Sequence, residues 1–111
     1  MGITSFETKF IDKIAVGDDE YTFYSISIGN STNFICIDAN NGEIKFTMES
    51  SKEYPTSHNT LIKAIFQLRI NELKKEIQNK FRVKNHTGMN ILTNELRMVT
   101  KQFEEFNKNI A

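Results

Sequence analysis

The spacing of apolar residues changes near residue 60, and the change divides the chain into a β-rich half and a helical half. Residues 21–28 are β-branched and aromatic with alternation, which places Tyr24, Ile26 and Ile28 on one face and Ser25 and Ser27 on the other, as is typical of a strand. Residues 34–39 and 43–48 predict two further strands. Three consecutive strands with short connections favour an antiparallel sheet.

The segment FICIDANNGEIKF allows two interpretations. A calcium loop that begins at Asp38 needs glycine at its sixth position, but Gly42 is fifth and Glu43 is sixth. The flanking segments have the composition of strands, whereas a calcium loop of this type lies between helices. Asn-Gly between two strands is a strong signal for a type I′ hairpin. We therefore predict a hairpin at Asn41-Gly42.

The first segment of the chain favours a short helix. Ser5 is a candidate N-cap, and the Gly17-Asp18-Asp19 run would end the helix. The apolar residues of segment 5–14 fall on one helical face, and they are Phe6, Phe10, Ile11 and Ile14.

Two helices are predicted in the second half. Helical spacing of apolar residues runs from Leu61 to Phe81, with Ser57 or Asn59 as the N-cap. The Asn85–Gly88 segment would break the pattern, and Asn90 would cap the next helix. That helix carries an apolar seam with heptad-like spacing, made by Leu92, Leu96, Val99, Phe103, Phe106 and Ile110.

These elements predict an α+β fold in a single domain over residues 1–111. We expect a short N-terminal helix, a three-stranded antiparallel sheet, and two C-terminal helices packed on one face of the sheet. A chain of 111 residues is long enough to bury one core.

The overall charge is balanced, but the two halves have opposite signs. Residues 1–57 contain four Lys or Arg against nine Asp or Glu, whereas residues 58–111 contain ten against five. One interpretation is that each half has a solvent-exposed face with an excess of one charge. The other interpretation is that one half offers a charged patch to a partner. The zero net charge gives no general attraction to nucleic acid.

No residue pattern in the sequence predicts catalysis, a cofactor or a metal. The single cysteine, Cys36, lies within a strand without an adjacent base, and His58 and His86 are too few for a zinc site. One cysteine permits no internal disulfide, and no apolar run is long enough to cross a membrane. We expect a cytoplasmic protein that is not an enzyme.

A basic run near the end of the first long helix has two interpretations. Its members are Lys74, Lys75, Lys80, Arg82 and Lys84. Cations are favoured near a helix C-terminus by the helix dipole, which accounts for the run without a partner. A nucleic-acid surface is the weaker interpretation, and nucleic acid is not an expected partner.

The run YTFYSISIGNSTNFICIDANNGEIKF resembles the SUKH superfamily. The similarity rests on Ile28-Gly29, on Ile35-Cys36-Ile37-Asp38 and on Gly42, followed by the helix-opening segment SHNTLIKAIFQL. The superfamily consists of α+β proteins that serve largely as immunity proteins against secreted bacterial toxins, often nucleases or deaminases. The resemblance implies a non-catalytic protein that binds a toxin and blocks its active site or substrate groove.

Under this resemblance, the acidic half of the chain is the expected surface for a basic toxin. Tyr54 would be the buried aromatic anchor of the interface. The predicted partner-binding residues are Asp18, Asp19, Glu20, Glu49, Glu53 and Tyr54.

A second hypothesis from a different class is a small dimeric adaptor, or a phage-encoded regulatory protein or inhibitor. Its contacts would be made by the C-terminal helices, through a homodimer seam of Leu92, Leu96, Val99, Phe103 and Phe106.

Overall fold

A computed structural model describes residues 6–51, 53 and 55–110. Four strands precede two helices, so the fold is α+β as predicted. The elements are β1 (Phe6–Val16), β2 (Asp19–Ile28), β3 (Ser31–Asp38), β4 (Ile44–Ser50), α1 (His58–Arg82) and α2 (His86–Ile110).

The strands form one antiparallel sheet in the order β1-β2-β3-β4, so each strand pairs with the next one along the chain. The chain divides into two compact units. The sheet unit contains residues up to Ala15 and Asp19–Leu61, and the helical unit contains Val16–Asp18 and Ile62 onward. The single domain and the packing of helices on one sheet face stay predictions.

The predicted N-terminal helix is wrong, because residues 6–16 form strand β1. Phe6, Phe10 and Ile14 fit a helical stripe, but they also fit an alternation of even-numbered positions that continues to Val16. Pairing with the neighbouring strand favours the β conformation, because it provides hydrogen-bond partners for the backbone N–H and C=O groups of β1. The sheet therefore has four strands, and the prediction of three is also wrong.

Two tight turns set the first three strands. Gly17-Asp18 joins β1 to β2, and Gly29-Asn30 joins β2 to β3. Both glycines have positive φ, +64° and +59°, which fits two-residue hairpin turns that begin with glycine. The second turn pairs Ile28 with Ser31, so β3 begins three residues earlier than predicted.

The third hairpin is confirmed at Asn41-Gly42, but its predicted turn type is wrong. A type I′ turn needs positive φ at both central residues, whereas only Gly42 has it, at +72°. The turn is wider, since the Asp38 N–H donates to the Glu43 carbonyl at 2.8 Å. The Asp38 carboxylate accepts from the Asn40 N–H at 2.8 Å, which folds the loop back on itself.

Side chains just before each helix act as N-caps. The Ser57 hydroxyl accepts from the Thr60 N–H at 3.2 Å, as predicted for α1. The Asn85 side chain accepts from the Gly88 N–H at 2.9 Å, so α2 begins at His86. The predicted break between the helices is confirmed, but it lies at residues 83–85 and not at Asn85–Gly88. The predicted cap at Asn90 is wrong, because Asn85 caps α2 and Gly88 lies within its first turn.

The helical unit is held together by aromatic contacts and a largely buried ion pair. The ring of Phe66 on α1 stacks on Phe103 of α2, with centroids 5.4 Å apart, and lies 5.9 Å from Phe106. Arg69 and Glu95 join the same helices, with Nη2 and Oε1 2.8 Å apart and side chains 12% and 14% exposed. Such a pair fixes the relative position of two helices, since leaving either charge buried alone is costly.

Gly17 lies against α2 within the same unit. Its N–H donates to Gln102 Oε1 at 2.8 Å, and a Cβ at this position would lie 2.9 Å from Cγ2 of the fully buried Val99. Only glycine combines this close approach with the positive φ of the turn.

We expect Gly17→Ala to destabilise the protein more than Gly29→Ala. Positive φ costs an alanine roughly 1–2 kcal/mol at either position. At Gly29 there is open space, whereas at Gly17 the contact with Val99 adds about 1–3 kcal/mol of overpacking. Urea unfolding of both variants measures the difference. Equal losses of unfolding free energy would show that Val99 and its neighbours move aside without cost.

Candidate functional site

Strand register divides the side chains of the sheet between a buried face and an open face. On β2, Tyr21, Phe23 and Ser25 are buried and alternate with partly exposed residues. On β3, Cys36 and Asp38 lie directly opposite Phe23 and Tyr21 and are buried too. The Phe23 ring also meets Phe46 of β4 edge to face, with centroids 6.2 Å apart, so the buried face has its own aromatic core.

The open face is strongly apolar. Tyr24 pairs with Ile35 across β2 and β3, and the Phe10 ring of β1 packs edgewise on Tyr24 at a centroid distance of 5.9 Å. Its large apolar side chains are all partly or mainly exposed, and they are Tyr24, Ile26, Ile28, Ile35, Ile37 and Ile44. Phe10 joins them through its contact with Tyr24, and it also lines a depression with Ser25 and Phe34. Phe10, Ile28 and Ile44 are 55%, 44% and 58% exposed.

A β-bulge places Ile44 on this face. Cys36 pairs with Phe46, but the next residue, Ile37, pairs with Ile44, so Lys45 is the extra residue of β4. Regular alternation from Phe46 would put Ile44 on the buried face. The bulge turns it to the open face instead, directly beside Ile37.

A contiguous apolar surface of this kind is suited to binding a protein. Exposed apolar patches with a polar border mark interaction sites on soluble proteins. Here Asn33, Thr47 and Glu49 continue the same face on β3 and β4, because Asn33 pairs with Glu49 and Ile35 with Thr47. The open face therefore combines an apolar centre, which can be buried against a partner, with polar groups at its border that can orient the partner by hydrogen bonds.

The predicted acidic residues do not form one cluster within the sheet unit. The Glu20 carbonyl accepts from the Ala39 N–H, whereas Glu49 pairs with Asn33. Asn33 and Ala39 are six positions apart, which is about 20 Å along a strand. Glu20 and Glu49 thus lie near opposite ends of the sheet.

The remaining acidic predictions lie close in the chain to Glu20 or Glu49. Asp19 opens β2 beside Glu20, Glu53 follows β4, and Asp18 belongs to the helical unit. Tyr54, the predicted aromatic anchor, lies outside the described residues. Glu49 on β4 and Glu20 at the start of β2 are the predicted residues that border the open face, since Glu20 alternates with Thr22 and Tyr24 on the same side of β2.

The predicted dimer seam is largely used inside the chain. Phe103 and Phe106 pack on Phe66 of α1, and Val99 is fully buried beside Gly17. Leu92 and Leu96 remain partly exposed. Contacts with α1 thus account for Phe103 and Phe106 within the chain, and a homodimer through this seam stays a prediction.

Cys36 is buried between aromatic neighbours on the buried face. Its side chain is inaccessible to solvent, and burial together with the nearby Asp38 carboxylate raises its pKa from 9.0 to about 12. A thiol in this state is a poor nucleophile, because the thiolate is the reactive form. Cys36 therefore serves as a small core residue.

The two units also contain polar features outside the open face. His58 Nε2 lies 3.0 Å from Asp12 Oδ2, which ties the start of α1 to β1. His58 also borders an open depression of about 370 Å³, together with Lys9, Phe10, Ser25 and Phe34. Within the described ranges, no group of three or more His, Cys, Asp or Glu side chains is placed to hold a metal ion.

Neither helix in the described part of the chain is long and apolar enough to cross a membrane.

The apolar residues of a strand predict the strand, but they do not by themselves predict which of its faces is open. Residues 21–28 are apolar on both faces: Tyr21 and Phe23 alternate with Tyr24, Ile26 and Ile28. A strand that is apolar on both faces indicates burial on both sides. That signal predicts a covered second face, whereas in this chain the second face is open.

Comparison with models of protein families, with curated proteins and with solved structures found no match to this chain. The resemblance to the SUKH superfamily therefore stays a prediction.

We expect native Cys36 to resist alkylation. At about pH 8, iodoacetamide should leave Cys36 of the folded protein unmodified and should react with it once urea unfolds the chain. In the folded state the thiol is buried and stays protonated, whereas the thiolate is the reactive form. A raised pKa also stabilises the folded state below the ordinary value of 9.0, and this contribution is lost as pH rises towards about 12. Mass spectrometry measures the modification. Rapid labelling of the folded chain would show that Cys36 is accessible.

Proposed function

We propose that this protein is a non-catalytic immunity-type inhibitor, which binds a nuclease- or deaminase-like bacterial toxin and blocks its active site or substrate groove. The observation that carries the proposal is the open face of the sheet. Burying its apolar centre against a partner would supply the main driving force of binding.

The shape and composition of the open face fit a protein partner. Phe10 and Tyr24 form an aromatic pair beside the isoleucines of the open face. Aromatic side chains often contribute a large share of the binding energy in protein interfaces. Four strands present these side chains on a rigid surface, so little conformational entropy is lost on binding.

The charge of the first half of the chain favours a basic partner. Nine acidic residues lie in residues 1–57 against four basic ones, and Glu49 borders the open face itself. Nuclease toxins act on phosphate-rich substrates and tend to be basic. Charge complementarity would speed their encounter with this half of the chain and orient it.

The proposal also rests on the resemblance to SUKH immunity proteins. The resembling positions Ile28-Gly29, Ile35 and Ile37 all lie on or beside the open face, and Gly42 forms the third hairpin. We further propose cytoplasmic action, because a chain with one cysteine needs no oxidising compartment to fold.

The open face can be tested with a triple variant, Phe10→Thr, Ile28→Thr and Ile44→Thr. These three side chains are 44–58% exposed and lie outside the buried core, so the fold should survive. We expect the wild type to retain a toxin from extracts of its native cell and to inhibit its activity. The triple variant should bind the recovered toxin at least tenfold more weakly, which is about 1.4 kcal/mol.

The matched control replaces three exposed apolar residues outside the sheet, Val83→Gln, Ile91→Gln and Met98→Gln. It should bind the toxin like the wild type. Retention of the same partner by all three baits, or a partner whose activity is not inhibited, would contradict the proposal.

The acidic residues predict a separate effect on the rate of association. We compare two charge reversals, Asp18→Lys with Asp19→Lys, and Glu49→Lys with Glu53→Lys. Because Glu49 borders the open face, the second pair should slow association with the toxin by about tenfold at low salt and weaken the salt dependence. The first pair should have a smaller effect. Stopped-flow or surface-based kinetics measures both; unchanged rates in both variants would rule out acidic steering.

A further inference from the structure

The end of α1 and the start of α2 form an exposed apolar and basic surface, which we call the hairpin tip. A groove of about 510 Å³ is lined there by Ile77, Gln78, Phe81, Arg82 and Met89. All of these residues belong to the helical unit. The groove therefore runs between two helices that contacts elsewhere in the unit already hold together.

The hairpin tip exposes more apolar surface than folding of this unit requires. Phe81 and Val83 are 68% and 72% exposed, the highest values among the large apolar side chains of the described residues. Ile91, near the start of α2, is 62% exposed. Large side chains left in water this way cost solubility, which favours a role in binding.

Positive charge surrounds this apolar surface. No acidic residue occurs from Ile77 to Asn94, whereas Lys80, Arg82 and Lys84 all fall within that stretch. Within residues 6–51, 53 and 55–110, none of these three cations has a carboxylate at ion-pair distance. The helix dipole favours all three cations at the end of α1, but it does not account for the absence of acidic residues from the whole stretch.

We propose that the hairpin tip binds an acidic amphipathic segment of a partner protein. An apolar side chain of that segment would enter the groove between Ile77, Phe81 and Met89. Flanking carboxylates would lie over Lys80, Arg82 and Lys84, where charge-assisted hydrogen bonds add orientation. This is the helix-in-groove mode of recognition, and the flexible Met89 side chain suits an adaptable groove.

The groove distinguishes this partner from other anionic ones. Phe81 and Val83 protrude far enough to enter a membrane surface, but the depression between Ile77, Phe81 and Met89 is suited to an inserted side chain of a partner segment. Single-stranded nucleic acid is bound by several aromatic rings that stack on successive bases, whereas the groove has one ring and is otherwise aliphatic.

The surface is independent of the open face. It belongs to the helical unit and to the basic half of the chain, whereas the open face belongs to the sheet unit and to the acidic half. The protein would thus contact two partners of opposite charge, and loss of one interaction leaves the other measurable.

The test titrates the ¹⁵N-labelled full chain with a synthetic peptide of about 16 residues, with leucine at helical spacing and glutamate elsewhere. We expect amide signals from residues 77–89 to shift and to saturate with a Kd of tens of micromolar. A second peptide keeps the leucines but replaces every glutamate with lysine, and it should cause no such shift.

Two variants assign the binding to the hairpin tip. Phe81→Ser should weaken the acidic peptide about tenfold, and so should the triple reversal Lys80→Glu, Arg82→Glu and Lys84→Glu. The matched control makes the same change of charge at exposed sites elsewhere, with Lys63→Glu, Lys101→Glu and Lys108→Glu. It should bind like the wild type.

Four results would overturn the proposal. The acidic peptide causes no shift at residues 77–89, or the lysine peptide binds as well. A twelve-nucleotide dT strand or phosphatidylserine vesicles bind the hairpin tip more tightly than the acidic peptide does. The same signals shift on concentrating the protein alone, which would make a second copy the occupant.

Discussion

The arrangement of this sheet depends on the register that its tight turns impose. A hairpin closed by two residues leaves its strands little freedom to slide, and a slip by one residue would exchange the two faces of a strand. Gly17 and Gly29 supply the positive φ that such turns need. With the register fixed, Tyr21 and Phe23 are buried, and Tyr24 and Ile26 are left partly in solvent.

The β-bulge at Cys36 and Ile37 extends this effect to the last strand. It adds Ile44 to the open face and keeps Phe46 against Phe23 in the aromatic core. In the helical unit, by contrast, the apolar seam is covered within the chain, since Phe103 and Phe106 pack on Phe66. Surface available to partners is thus found on the open face and at the hairpin tip, in regions of opposite charge.

The sequence predicts the elements with strong periodicity and misses those in which two periodicities coincide. The fold class, β2, the third hairpin and the two helices follow from spacing and turn residues. Residues 6–16 satisfy helical and alternating patterns at once, and pairing with β2 selects the strand. The open face also needed the structure, because whether a second apolar face is covered depends on contacts far along the chain.

The strand order has a consequence for how the chain folds. Every strand pairs with its neighbour in sequence, and α1 and α2 are joined by three residues, so few pairings require a long loop to close. Chains with mostly local contacts fold within milliseconds, faster than sandwiches of similar size. The whole sheet lies before residue 51, so it can assemble during synthesis while the helices are still being made.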